Sequence, residues 1–250
     1  MKKMLAVMLL LLCCIACTVN EEDRLIPVES IEISNNVLLE DFTGQNCLNC
    51  PNAHQEIENI LSLYPDNVIA VSIHGGPFSI PHPAGLGTIE GNEYVKKWNV
   101  SAFPNGMINR TGELTPFSAW NTIIREELQK QNSYDIKLQV FENTNSNINI
   151  VTTIYSNLDK ECNLQLWIVE NNIVGLQNNL GKIETNYIHN HVFRNSINGT
   201  WGEKISLIKN ETLVFNHSYN IDEKYDINNL SIIGFIYDNE RVLNVTKIKL

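Results

Sequence analysis

The stretch Val37-Leu38-Leu39-Glu40-Asp41-Phe42-Thr43-Gly44-Gln45-Asn46-Cys47-Leu48-Asn49-Cys50-Pro51 decides the reading of this chain. Val37 to Phe42 is apolar apart from two consecutive acids, which predicts a buried strand. Thr43 to Asn46 is a polar loop. Ala53, Ile57, Ile60, Leu61 and Tyr64 then recur at helical spacing, so a helix with one apolar face starts at the second cysteine. Pro65-Asp66-Asn67 ends that helix, and Val68 to Ile73 predicts a second buried strand. Strand, helix and strand of these lengths form a βαβ unit with parallel pairing.

Towards the C-terminus, a Gly- and Pro-rich loop runs from His74 to Gly91 and is expected to lie over one end of the sheet. Asn92 to Trp98 predicts a short helix. Phe103-Pro104 leads into a strand at Met107-Ile108-Asn109, followed by a turn at Arg110-Thr111-Gly112. Phe117 to Leu128 predicts a helix with Trp120, Ile123, Ile124 and Leu128 on its inner face. The grammar changes after residue 132. Ile136, Leu138 and Val140 alternate with polar residues, as do Ile148 and Ile150, then Leu164, Leu166 and Ile168, and later Ile205 and Leu207. Leu213-Val214-Phe215, Ile232 to Ile236 and Val242 to Leu250 add further strands. Short strands separated by Asn, Gly and Asp turns describe an antiparallel β-sandwich. The predicted domain boundary lies near Asn132-Ser133.

The C-x-x-C at Cys47 and Cys50 carries the sharpest chemistry. It follows a strand and opens a helix, where free backbone N–H groups and partial positive charge stabilise a thiolate. Cys47, at the exposed end, is placed to attack a disulfide. Cys50, one turn on, is placed to resolve the mixed disulfide. Two cysteines at this spacing meet disulfide geometry, so a Cys47–Cys50 bond is expected in the oxidised protein, with Cys162 a free, buried thiol.

In element order and motif, residues 37–132 resemble a thioredoxin-like domain. The resemblance implies Cys47 as nucleophile, Cys50 as resolving thiol, Asp41 as the buried proton acceptor for Cys50, and Pro104 as a cis proline contacting substrate. Asn46 stands where thioredoxins usually carry Trp, and Leu48-Asn49 replaces their Gly-Pro. Protein thiols or disulfides would be the partners, with no cofactor and no metal.

Other readings of the same residues stand beside this one. Cys47–Cys50 as an inert staple is one. Metal ligation with His54 as a third ligand is another, disfavoured because structural zinc takes four such ligands and no second C-x-x-C exists. His54 is otherwise a solvated helix residue, and His74 and His82 are ordinary loop histidines near the thiols. His189 and His191 alternate and would share a strand face with Arg194 and Trp201 nearby, as a binding surface or a packed corner. No hydrolase elbow, phosphate loop or dinucleotide fingerprint is present.

The N-terminus has its own signature. Met1-Lys2-Lys3-Met4 is basic, Leu5 to Leu12 is apolar, and Cys13-Cys14-Ile15-Ala16 precedes Cys17 and a polar, acidic segment. That is a secretory signal, too short to span a bilayer at roughly 20 residues. It resembles the lipobox of bacterial lipoproteins, which implies cleavage after Ala16 and acylation of Cys17, with Cys14 the weaker alternative. Residues 1–16 are then the signal and 17–36 the lipidated tether, with Ile31 and Ile33 as a short edge strand. Export permits disulfides. The formal net charge of -10 excludes a nucleic-acid partner of the usual basic kind. The lipobox, Glu40 to Pro51, His189-Asn190-His191-Val192-Phe193-Arg194 and Asn198-Gly199-Thr200-Trp201-Gly202-Glu203 together resemble the outer membrane protein 28-related lipoproteins of the Bacteroides group. That resemblance implies a lipid anchor in the outer membrane and a β-rich C-terminal domain at 133–250.

Overall fold

Strand β1 (Val37–Thr43) is buried at all seven positions. A strand hidden on both faces must lie inside a sheet with a layer on each side. The computed structural model, which describes residues 35–142, 146–239 and 241–250, places it so. β1 pairs in parallel with β2 (Val68–His74), from Val37↔Val68 to Thr43↔His74. It pairs antiparallel with β3 (Asn105–Ile108) on its other edge, with Asp41 opposite Gly106. The crossover from β1 to β2 is helix α1 (Cys50–Leu63), with Cys50, Ala53, Ile57 and Ile60 as its buried stripe and Pro51 in the first turn. The predicted βαβ unit is present. The predicted signal, Cys17 and the Ile31–Ile33 strand lie outside the described residues.

Helix α2 (Ile89–Lys97) starts three residues before the predicted Asn92. The Thr88 side chain accepts a hydrogen bond from the Gly91 N–H, and Glu90 complements the first turn, so the cap sits earlier than the apolar pattern suggests. Helix α3 (Phe117–Leu128) buries Trp120 and Ile124. These two side chains join Val37, Leu39, Ala53, Ile57 and Ile60 in the core between α1, α3 and one face of the sheet.

Ten strands follow: β4 (Tyr134–Glu142), β5 (Asn147–Ser156), β6 (Lys160–Glu170), β7 (Ile173–Asn179), β8 (Lys182–His189), β9 (Val192–Ser196), β10 (Glu203–Leu207), β11 (Glu211–Asn220), β12 (Leu230–Tyr237) and β13 (Val242–Lys249). β11, β5 and β4 form a three-stranded antiparallel sheet, and β7 and β8 a hairpin. The rest do not stand apart from the first half. One sheet runs β13-β12-β6-β9-β2-β1-β3, with β10 paired to β6. The seam is β2 against β9, where the Ser72 N–H donates to the His191 carbonyl at 2.7 Å.

The physical reason lies in β6 and β12, which are buried on both faces. Leu164, Leu166 and Ile168 of β6, with Ile232 and Ile236 of β12, pack with Ile136, Ile148 and Ile150 of the three-stranded sheet. Trp167, Val169, Ile233 and Phe235 point the other way. They share a core with Leu38, Phe42 and Val71 of β1 and β2. The change of pattern at Asn132 therefore marks the link from α3 to β4, and the sheet and one of its cores continue across it. Among the described residues, no helix is long and apolar enough to cross a membrane.

Candidate active site

Cys47 and Cys50 are joined by a disulfide, with a Cα–Cα separation of 5.5 Å. Cys50 is the first residue of α1. Asn49 precedes it without a side-chain cap, and no acid occupies the first turn. The positive end of the helix is thus left uncompensated at the sulfurs. The loop before the disulfide is held by backbone bonds, Cys47 N–H to Gly44 O at 3.0 Å and Asn46 N–H to Phe78 O at 2.8 Å. Gly44 is required here: a Cβ on it would lie 2.5 Å from the Phe78 carbonyl.

Cys47 was expected at an exposed helix mouth, but it is only 3% exposed. The cover is the β7–β8 hairpin, from the distant second half of the chain. Asn178 N–H donates to Gln45 O at 2.7 Å, and Leu180 N–H to Leu48 O at 3.0 Å. The Gln177 amide donates to Cys47 O at 3.0 Å. Gln45, itself buried, donates to Leu176 O and accepts from Leu86 N–H, tying hairpin, loop and disulfide together. Neither Gln45 nor Gln177 carried a signal in the sequence, since their roles depend on a hairpin some 130 residues away.

Glu40 and Asp41 are adjacent, both 0% exposed, and point to opposite faces of β1. Their fates differ. Glu40 takes both bonds of a fork from Arg110, Nε at 2.9 Å and Nη2 at 2.8 Å. Arg110 is itself walled by Trp98, Trp167, Phe235 and Tyr237. Asp41 lies on the α1 side and has no cation of that kind. Neither of its oxygens has a hydrogen-bond partner of good geometry among the described residues. Burial pushes its pKa up to about 8, against weaker help from Ser72, its register partner on β2. Asp41 is therefore a neutral acid at pH 7.

His54 sits one turn beyond Cys50 and is not the solvated residue expected. Its Nε2 is 3.0 Å from Thr43 Oγ1 and 3.7 Å from Asp41 Oδ2, and its Nδ1 is 2.9 Å from the Tyr187 hydroxyl on β8. Burial first, then the charges His189 and His191 would carry, lower its pKa to about 3. The contact with Asp41 thus joins two neutral groups and is no salt bridge. His74, expected in a loop, ends β2 fully buried with its ring 5.5 Å from that of His189. Burial lowers both histidines' pKa values, that of His189 to about 4. A cavity of about 160 Å³ opens beside this cluster, lined by Pro51, His54, Glu58, Ser72, Tyr187 and His191.

The remaining candidates fall elsewhere. The Phe103–Pro104 peptide is cis. The Phe103 ring packs 5.6 Å from Phe78, whose carbonyl holds Asn46, so this segment reaches the disulfide loop through Phe78. His82 is exposed. His189 and His191 do not share a strand face: His189 ends β8, and His191 follows it with φ 56°. Arg194 pairs with Glu170 at 3.2 Å, while Trp201 packs edge-to-face on Tyr94, so the four do not form one surface. Cys162 is a free buried thiol in β6, with burial pushing its pKa up to about 12. Among the described residues no group of three or more His, Cys, Asp or Glu is arranged to hold a metal.

Comparison with known proteins fixes the family. HBP35 of Porphyromonas gingivalis superposes with a TM-score of 0.70 at 16% identity, over 87% of this chain and 76% of its own. A protein of Agrobacterium tumefaciens superposes with a TM-score of 0.52 at 10% identity, over 88% of this chain and 96% of its own. A domain of the outer membrane lipoprotein Omp28 from P. gingivalis covers 48% of this chain and 90% of its own, at 18% identity and a TM-score of 0.35. At such identities the first two likenesses are of fold alone. No curated protein matches. The family model of the outer membrane protein Omp28 matches residues 91–250, which takes in the hairpin and leaves the two cysteines outside it. With well over half its length matched by that model, this chain belongs to the family of the outer membrane protein Omp28, and its location is the outer membrane.

Proposed function

We propose that this chain is a lipid-anchored outer-membrane protein whose Cys47–Cys50 pair performs thiol–disulfide exchange in a thioredoxin-like setting. Residues 37–132 are the redox module, and residues 133–250 are a sandwich-like β module that shares its sheet. The observation that carries the reading is Asp41. A carboxyl group with no cation or good hydrogen bond in the interior is a costly feature. A structural staple has no use for it, whereas a resolving thiol needs a nearby base whose pKa lies near neutrality.

In the exchange, a substrate thiolate attacks Cys47 Sγ and breaks the Cys47–Cys50 bond. Cys50 leaves as a thiolate and takes the Asp41 proton. A second substrate thiolate then displaces Cys47, so the substrate dithiol is oxidised to a disulfide as the protein pair is reduced. Every step runs in reverse when the substrate is a disulfide. Pro104 is the substrate-contacting residue of this reading. The anchor is the acylated Cys17 of the predicted lipobox.

A second reading has its own observation, the burial of Cys47 beneath the hairpin: the disulfide is a staple, and the β module binds the partner. Treating the oxidised, folded protein with dithiothreitol and labelling thiols with maleimide separates the two. Exchange predicts labelling of Cys47 and Cys50 without unfolding, and mixed disulfides trapped by Cys50→Ser. A disulfide that is reduced only when the protein unfolds would overturn the exchange reading.

A further inference from the structure

The geometry points to His54 as the proton relay between Asp41 and solvent, working through the hairpin residue Tyr187. This rests on the exchange reading, because a proton has to leave the site only if Cys50 acts as the resolving thiol.

Asp41 is sealed between β1 and α1, so water does not reach it directly. His54 is the titratable side chain that spans the gap. Its Nε2 lies on the Asp41 side, at 3.7 Å, and its Nδ1 on the Tyr187 side, at 2.9 Å from the hydroxyl. A modest ring rotation from Thr43 towards Asp41 brings Nε2 into hydrogen-bond range, since catalytic contacts tighten from longer resting distances. An imidazole can take a proton on one nitrogen as it gives one up from the other. Beyond it, His54 and Tyr187 both line the 160 Å³ cavity, as do His191 and the half-exposed Glu58. These two are 3.5 Å apart, so a solvent-exposed carboxylate stands on the cavity wall.

The groups around His54 suit a carrier that does not retain the proton. Asp41 faces it from β1 and Glu58 from its own helix. His74 faces the cluster from β2, Tyr187 and His189 from β8, and His191 from the β8–β9 link. His189 and His191 disfavour a resident positive charge on the ring, so a proton arriving from Asp41 moves on.

The step it serves is resolution. Cys50 attacks the sulfur of Cys47 in a mixed disulfide, the Cys47–Cys50 bond forms, and the partner leaves as a thiolate. The resting Asp41 proton first leaves through His54 to water, and the carboxylate so formed takes the Cys50 proton, which returns Asp41 to its neutral state. Cys50 is oxidised and the departing sulfur reduced. Because His54 touches neither sulfur nor substrate, it is a positioning residue.

The experiment uses the reduced, folded protein and oxidised glutathione as the disulfide. Rapid acid quenching and mass spectrometry separate capture by Cys47 from resolution by Cys50. His54→Ala is expected to leave capture unchanged and slow resolution about 100-fold, the low end for a lost proton-transfer group. Added imidazole should enter the enlarged cavity and restore the rate, without accelerating the wild type. Asp41→Asn should also slow resolution, beyond rescue by imidazole. His54→Gln, which keeps volume and polarity, should be slow and folded, and serves if the alanine variant unfolds. Resolution at the wild-type rate in either variant, or a slow His54→Ala that imidazole does not restore, would overturn the relay. A wild type that never captures glutathione would instead sink the exchange reading.

Discussion

Asp41→Asn should stabilise the oxidised protein, and by more as pH rises. In the unfolded chain Asp41 ionises with a pKa near 3.8, whereas in the fold it holds its proton to about 8. Between those values the folded state binds more protons than the unfolded one, so stability falls as pH rises through the window and levels off above it. At about 1.36 kcal/mol per pKa unit, the wild type carries a penalty of about 4 kcal/mol at pH 7 and nearer 6 at pH 9, against about 2 at pH 5. His54 works in the opposite sense. Its pKa is lowered from 6.5 to about 3, so its stability contribution grows with pH between those values and is complete above the upper one. Between 3.8 and 6.5 the two slopes cancel, and the lowered pKa values of His74 and His189 add stability as pH rises, so the wild type should be most stable near pH 6.5 and lose stability above it. The asparagine variant should lose about 3 to 4 kcal/mol less than the wild type between about pH 5 and pH 9. Urea unfolding at a series of pH values, followed by the fluorescence of the buried Trp120 and Trp167, measures the difference directly. A stability difference between variant and wild type that stays flat over this range would mean that Asp41 is ionised in the fold and has a partner, and the argument from its isolation would fail.

Further outcomes follow from the same geometry. Arg110→Ala leaves Glu40 buried without its fork and should cost about 3–5 kcal/mol in chemical denaturation, while Glu40→Met with Arg110→Met should recover much of that loss. Gln177→Ala removes the hairpin's bond to the Cys47 carbonyl; at about 1 kcal/mol per bond, native-state reduction by dithiothreitol should run about fivefold faster. An unchanged rate would show that the hairpin does not limit access. Cys17→Ser should leave the precursor unprocessed or release the protein from the membrane; normal retention with an unmodified mature N-terminus would end the lipobox reading.

Much of the site's scaffold was legible because it is local. The strand, the loop, the C-x-x-C and the amphipathic helix lie within 27 residues, from Val37 to Leu63, and each follows from hydrophobic period and backbone chemistry. The disulfide followed from that spacing. What escaped was every feature that needs a partner far along the chain. The pair Glu40-Asp41 inside an apolar strand was a visible anomaly. Nothing nearby said that one acid would meet Arg110 and the other no cation. His54 read as a surface residue because its partners, Asp41 and Tyr187, approach from a neighbouring strand and a distant hairpin.

The division at Asn132 shows the same limit. Alternation in the second half correctly marked strands and one buried face. It could not show that Trp167, Val169 and Phe235 would bury the opposite face against β1 and β2. Local pattern reports how much of a segment must be hidden; it does not say what hides it. The amino-acid sequence by itself determined the βαβ unit, the helices, most of the later strands but not β7, β8 and β9, the C-x-x-C at a helix start and the family resemblance. Only the tertiary structure decided that a hairpin 130 residues away closes over the disulfide and that one of two adjacent acids stays unpaired, because both depend on which surfaces meet once the sheet has closed across the β2–β9 seam.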